Sequence, residues 1–201
     1  MPLVKRVLII RHGQSEWNAQ GRWQGQADPP LTDLGEHQAH SAIETLSGFG
    51  IEALATSALE RANRTGTIIA SGLNLSTPLI DDRLNERSAG EWSGLTKVEI
   101  EEAWPGYLAN RDRPPNYESD EALLPRITEG ITQVAEALDG ETLAIVAHGG
   151  VIYMLESSRG RPFERISNLG SLWLEVSPEQ IVLGERVELI DESEATTPDQ
   201  I

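Results

Sequence analysis

The chain contains no cysteine. That excludes disulfides, thiolate nucleophiles and Cys-based zinc sites. It also lacks long apolar runs. The strongest, Val7 to Ile10 and Leu143 to Ala147, are strand-sized and far short of the roughly 20 residues that span a membrane as a helix. Met1 to Arg6 leads straight into a strand-like run with no small-residue cleavage site, so no signal peptide is expected and a cytoplasmic location is the default. Positive charge is scarce: 16 Lys and Arg stand against 32 Asp and Glu, a formal net charge of −16. Long-range electrostatics therefore oppose nucleic acid and anionic membranes as partners. An anionic substrate would need a locally basic pocket in an acidic surface, so the few arginines and histidines are the residues to locate.

The chain has 201 residues, 39% of them hydrophobic and 24% charged. That is the size and balance of one folded domain with a substantial core. Val4–Ile10, continuous and β-branched, reads as a buried strand ending at Arg11-His12-Gly13. Ser15 and Asn18 are candidate caps in the turn that follows. Gly21 to Leu31, rich in Gly, Gln, Asp and Pro, reads as a loop. Thr32 opens a helix whose Ala39, Ala42, Ile43 and Leu46 form an apolar stripe, ended by Gly48 and Gly50. A strand over 53–56 and a helix over 59–71 with Ser57 as its cap come next. Leu79-Ile80 is a short strand, 86–94 a loop, and Thr96 a helix start. The helix over 119–138 contains Pro125, which predicts a kink or a later start. A second buried strand, 142–147, again ends in a polar turn, His148-Gly149-Gly150, before a helix over 151–158. Residues 171–176 and 181–189 read as a hairpin. The acidic stretch after residue 190 reads as a disordered tail.

Strands alternating with helices predict an α/β three-layer sandwich, a mostly parallel central sheet with helices on both faces. Ligands of such sheets bind outside the carboxyl ends of the strands. If the two strongest strands are parallel neighbours, His12 and His148 lie side by side there. A neutral imidazole is nucleophilic near neutral pH, a neighbouring guanidinium offers a fork for phosphate oxygens, and a glycine permits close backbone approach. Phosphoryl transfer needs little beyond such positioning and charge stabilisation.

Five ordered segments carry a family resemblance. LIIRHGQSEWN (8–18), GRWQGQADPPLTDLG (21–35), TSALERANRT (56–65), LNERSAGEWSG (84–94) and AHGG (147–150) resemble, in order and spacing, the blocks of the histidine phosphatase, or phosphoglycerate mutase-like, superfamily. The resemblance implies that His12 attacks phosphorus and forms a phosphohistidine. It implies that Arg11, Arg61 and His148 surround the phosphoryl group, that Asn18 and the Gly149 amide add hydrogen bonds, and that Glu86 is the general acid and base. Gln24 is a candidate substrate contact. No metal or other cofactor is implied, and the implied partner is a phosphorylated small molecule. A homodimer is compatible with the sequence, which does not fix the oligomeric state.

Several residues read more plainly. His37 and His40 share a helix without a carboxylate pattern beside them and read as surface residues, as does Arg64. Trp17, Trp23, Trp92 and Trp104 read first as packing residues. Lys97 resembles a substrate-contacting lysine of the mutase branch, which also carries an inserted pair of adjacent arginines. Here the region is short and offers Arg111 and Arg113, while PPNYES (114–119) resembles a PPGGES-like element of the phosphatase branch. Hydrolysis is therefore the favoured expectation over mutase chemistry. A phosphoprotein substrate or a regulatory binding module is the third reading. A small metabolite predicts a closed pocket lined by the loops 21–31 and 104–119.

Overall fold

A computed structural model describes residues 4–198. A six-stranded sheet forms the centre. Its strands are β1 (Lys5–Arg11), β2 (Ala53–Thr56), β3 (Leu79–Ile80), β4 (Thr142–Ala147), β5 (Gly170–Val176) and β6 (Ile181–Glu188), in the spatial order β3-β2-β4-β1-β5-β6. The first four are mutually parallel, and β5 and β6 run antiparallel at one edge. The helices are α1 (Glu16–Ala19), α2 (Asp33–Ser47), α3 (Glu60–Gly72), α4 (Lys97–Ala103), α5 (Tyr107–Asn110), α6 (Asp120–Ala137) and α7 (Gly149–Ser158). No helix among the described residues is long and apolar enough to cross a membrane.

The apolar strands explain the three layers. Side chains alternate between faces along a strand. Val7 and Ile9 of β1 join Leu143 and Ile145 of β4 in a cluster closed by α6 and α7. Leu8 and Ile10 join Ala144 and Val146 in a second cluster closed by α2 and α3. Every one of these strand residues is fully buried, and each Val, Leu and Ile among them is worth about 1.5–3 kcal/mol of transfer free energy. A third cluster, around Trp23, Ala89, Trp92 and Ile100 with Tyr107, Leu108 and Tyr117, forms a separate lobe over the carboxyl ends of the strands.

The topology positions the site. β1 feeds α2 on one face and β4 feeds α7 on the other, so the chain diverges between two adjacent parallel strands. That divergence opens a crevice at their carboxyl ends. The register pairs Arg11 with Ala147, and the His12 amide donates to the Ala147 carbonyl at 3.1 Å. Both histidines leave the sheet at the same level.

Some local expectations need correction. α7 begins at Gly149, two residues early, so both glycines belong to its first turn. Pro125 neither delays nor splits α6, because the carbonyl it leaves unpaired is that of exposed Glu121. Ser57 does not cap α3. Leu59 stands at that position without a side-chain bond, and the Asp28 carboxylate reaches across to accept from the Glu60 amide at 2.7 Å. The tail, expected to be disordered, is bound over its described part. Gln38 donates to the Glu194 carbonyl at 2.8 Å and the Asn168 amide to that of Thr196 at 2.8 Å, while Ala195 packs on the α2–α3 cluster. Residues 1–3 and 199–201 lie outside the described residues.

Candidate active site

His12 sits just past β1 and is 2% exposed. Its Nδ1 lies 2.6 Å from the Gly13 carbonyl. A carbonyl can only accept, so Nδ1 carries the proton and Nε2 keeps its lone pair. Arg61 Nε donates to that lone pair at 3.3 Å. Burial, and then the charges of Arg61 and Arg11, hold the imidazole pKa well below its ordinary value. The ring is therefore neutral near pH 7, with its nucleophilic nitrogen directed at the guanidinium that would bind an anion.

Arg61 and Arg11 frame it. Arg61, fully buried in the first turn of α3, donates to the carbonyls of Ala27 at 2.7 Å and Gly25 at 2.9 Å. These contacts fasten the 21–31 loop around it. Gly25 adopts φ +53°, and a Cβ there would collide with Ala89; only glycine lets this loop touch the 86–94 segment. Burial lowers the Arg61 pKa to about 10. The guanidinium stays charged at neutral pH in a place where water cannot screen it. Arg11 is 3% exposed and donates to the Ile166 carbonyl at 2.6 Å. Its Nε is buried without a partner, a donor left for an anion to satisfy.

His148 lies against His12, ring centroids 5.2 Å apart and edge to face. It is fully buried, and its Nε2 contacts Ser57 Oγ at 2.8 Å. Burial and the neighbouring Arg61, His12 and Arg11 hold its pKa well below the ordinary value. Gly149 packs beside the Arg11 guanidinium. Glu86 lies at the start of α7, where its Oε2 accepts from the Gly150 amide at 3.1 Å and its Oε1 from the Arg87 amide at 2.8 Å. The carboxylate thus occupies the positive end of the helix. Asn18 is fixed by a reciprocal cap with Ser15, and Asn168 donates both to Asn18 Oδ1 at 3.4 Å and to the His12 carbonyl at 2.9 Å. Gln24 accepts from Ser15 Oγ at 2.7 Å.

Arg11, His12, Asn18, Gln24, Arg61 and Glu86 line one cavity of about 60 Å³. That is the scale of a phosphoryl group with little room for bulk water. His148 packs edge to face against His12 and is fully buried beside the cavity. The cavity shares Trp23, Arg87, Tyr117 and Gly150 with a neighbouring cleft of about 1070 Å³. The cleft is far larger, but the buried bases and guanidinium groups converge in the small cavity, which makes it rather than the cleft the candidate site. Lys97, Arg111 and Arg113 line the cleft. Arg113 lies over the Trp92 and Tyr117 rings at 5.7 and 5.0 Å.

Trp23 lines both spaces and meets Trp92 edge to face at 5.8 Å. His37 pairs with Glu194 and Arg64 with Glu36, as expected of surface residues. Among the described residues no group of three or more His, Cys, Asp or Glu is placed to hold a metal ion. Sequence reasoning missed Asn168, Arg87, Asp28 and Arg126. Arg126 reaches from α6 to the carbonyls of Arg83 and Asn85 at 2.8 and 2.9 Å and to the Glu118 carboxylate at 2.8 Å. It thereby braces the segment that carries Glu86. Nothing local marks Asn168, Asp28 or Arg126, since each acts through a partner distant in sequence, whereas Arg87 meets its neighbour Glu86 through its amide and the distant Glu118 carbonyl through its side chain.

Residues 7–180 match the family model of the histidine phosphatase superfamily (branch 1). The glucosyl-3-phosphoglycerate phosphatase of Mycolicibacterium vanbaalenii is 37% identical over 183 residues, covering 84% of this chain and 80% of that protein. A 2,3-bisphosphoglycerate-dependent phosphoglycerate mutase of Cytophaga hutchinsonii is 35% identical over 158 residues, covering 74% of each. The solved structure of a mycobacterial glucosyl-3-phosphoglycerate phosphatase with VO3 superposes with a TM-score of 0.79 at 27% identity, covering 90% of this chain and 98% of that one.

Proposed function

The chain belongs to the histidine phosphatase superfamily, and from that membership we propose that it hydrolyses phosphomonoesters of small molecules through a phosphohistidine on His12. The observation that carries this reading is the unprotonated His12 Nε2, its lone pair held by the Arg61 guanidinium, in a cavity framed by two buried guanidinium groups. The substrate phosphoryl group enters between Arg11 and Arg61, whose donors replace water around its oxygens. His12 Nε2 attacks phosphorus as the bond to the leaving oxygen breaks. Glu86 relays to that oxygen the proton that a monoanionic phosphate ester brings with it, and the alcohol departs through the cleft. Water then attacks the phosphohistidine, Glu86 takes its proton, and the P–N bond breaks to release phosphate and restore His12. Each preorganised donor is worth about 10²–10³ in rate, and general acid–base help about 10²–10⁴. Arg11, Arg61, His148, Asn18 and Gly149 supply the charge and hydrogen bonds, and Gln24 orients the entry loop.

The cleft beside the small cavity is walled by Trp23, residues 108–121, α7 and residues 161–163, and in this reading it receives the part of a small-molecule substrate beyond its phosphate. A cytoplasmic location is part of the same proposal.

Mutase chemistry is the second reading. Lys97, Arg111 and Arg113 on the cleft wall favour it, because cations there could hold a phosphoglycerate while the phosphoryl group returns to it. The test is phosphate release from a panel of phosphoglycerates, glucosyl-3-phosphoglycerate, sugar phosphates and an aryl phosphate, with and without EDTA, beside His12→Ala. Release that EDTA leaves intact and His12→Ala abolishes supports hydrolysis. Interconversion of phosphoglycerates on adding 2,3-bisphosphoglycerate, without net release, supports the mutase reading. Release that persists in His12→Ala would sink both.

A further inference from the structure

We infer that Ser57 and Asn85 are positioning residues for His148, holding its ring in the tautomer with the proton on Nε2 so that Nδ1 meets the transferred phosphoryl group. The tautomer follows from counting protons. Asn85 Oδ1 receives the Ala58 amide at 3.0 Å, which identifies that atom as the amide oxygen, an acceptor only. It lies 2.8 Å from Ser57 Oγ, so the one hydroxyl proton of Ser57 points to Asn85. The Leu59 amide donates to Ser57 Oγ at 3.1 Å. Ser57 Oγ therefore has no proton left for His148 Nε2 at 2.8 Å and can only accept from it.

The consequence lies at the other ring nitrogen. His148 Nδ1 is buried without a hydrogen-bond partner. His12 is fixed the opposite way, its proton on Nδ1 and its lone pair on Nε2. The two rings, 5.2 Å apart, are thus set in complementary tautomers by fixed partners. A bare Nδ1 beside an incoming phosphate can take up one proton, from solvent or from a phosphate monoanion. Both ring nitrogens of His148 are then donors, one satisfied by Ser57 and one by a phosphoryl oxygen. With the opposite tautomer, Nε2 would face Ser57 lone pair to lone pair, and the ring would lose its orientation. Asn85 also precedes Glu86, so one side chain ties the proposed general acid segment to the second histidine. The role of Nδ1 toward phosphate rests on the phosphoryl-transfer reading; the tautomer does not.

The test is ¹⁵N-histidine NMR of the whole protein, paired with kcat/KM. Wild type is expected to show His148 protonated at Nε2 and unprotonated at Nδ1 near neutral pH. Asn85→Leu frees the Ser57 proton to turn toward His148 and is expected to move the ring proton to Nδ1, without touching either residue. Ser57→Ala is expected to give a tautomer mixture and a loss of about 10²-fold in kcat/KM, with Ser57→Thr regaining most of it. A wild-type proton on Nδ1 overturns the inference. So do variants that shift the tautomer yet keep wild-type kcat/KM. If wild type releases no phosphate at all, the function proposed above fails, while the NMR arms still decide the tautomer.

Discussion

Gly150→Ala separates the placement of Glu86 from the stability of the fold. A Cβ at residue 150 would lie 3.0 Å from the Glu86 carboxyl carbon and closer still to Oε1. The colliding atoms are the end of a flexible side chain, so the helix keeps its place and the carboxylate yields. It must retreat by roughly 1 Å, and the hydrogen bond from the Gly150 amide at 3.1 Å is lost or bent. A displacement of about 1 Å can cost about 10² in rate. Complete loss of general acid help costs about 10²–10⁴, so the expected range is 10²–10⁴ in kcat/KM. Residue 150 lies in the first turn of α7, where alanine is the better helix former by up to about 1 kcal/mol. The Tm should hold or rise. The decisive comparison uses two substrates. kcat/KM reports the step that forms the phosphoenzyme, and a good aryl leaving group needs little protonation. Gly150→Ala should therefore cost an alkyl phosphate far more than an activated aryl phosphate. Equal losses on both, or no loss on either, would refute the assignment of Glu86 as the acid.

Three further outcomes are expected. His12 and His148 both have depressed pKa values, so below about pH 6.5 the unfolded chain binds protons that the folded chain refuses. Stability is then present above that pH and falls as pH drops, by up to about 1.4 kcal/mol per unit for each ring; urea unfolding across this window should show His148→Gln losing about half of that slope. Asp28→Ala removes the carboxylate that holds the first amide of α3, which costs about 1 kcal/mol, or roughly 2–4 °C in Tm for a chain of this size. Because the same loop grips Arg61, Asp28→Ala should also raise KM for every phosphate ester alike, and a change confined to one substrate would speak against this linkage. Since burial keeps His12 neutral, its ¹⁵N signals should show no titration as pH falls through about 6.5; a titration centred there would mean that the ring is less buried than described.

The sheet was legible because its two central strands are unbroken apolar runs, and the histidine turns could be set side by side from topology alone. The blocks around His12, Arg61, Glu86 and His148 were legible as ordered motifs. What escaped was everything that depends on a distant partner. Ser57 has the composition of a helix cap, yet its hydroxyl is committed to Asn85 and His148. Asp28 caps a helix that starts 32 residues later, which no local pattern encodes. The tail has the charge of a disordered segment, yet Gln38 and Asn168 bind its backbone. Only the folded α2 and the loop before β5 bring those two side chains together. The 97–119 lobe, where substrates would be distinguished, is short and irregular, so its cleft could not be read from periodicity.

Whether His12 carries the phosphoryl group is decided by rapid acid-free quenching during turnover, followed by intact and peptide mass analysis. An acid-labile adduct with the mass of one phosphoryl group is expected on the peptide containing His12, absent from His12→Ala and accumulating when Glu86 is replaced by Gln with an activated aryl phosphate as substrate. Turnover that proceeds with no such adduct, or with the phosphoryl group on another residue, would rule out His12 as the nucleophile.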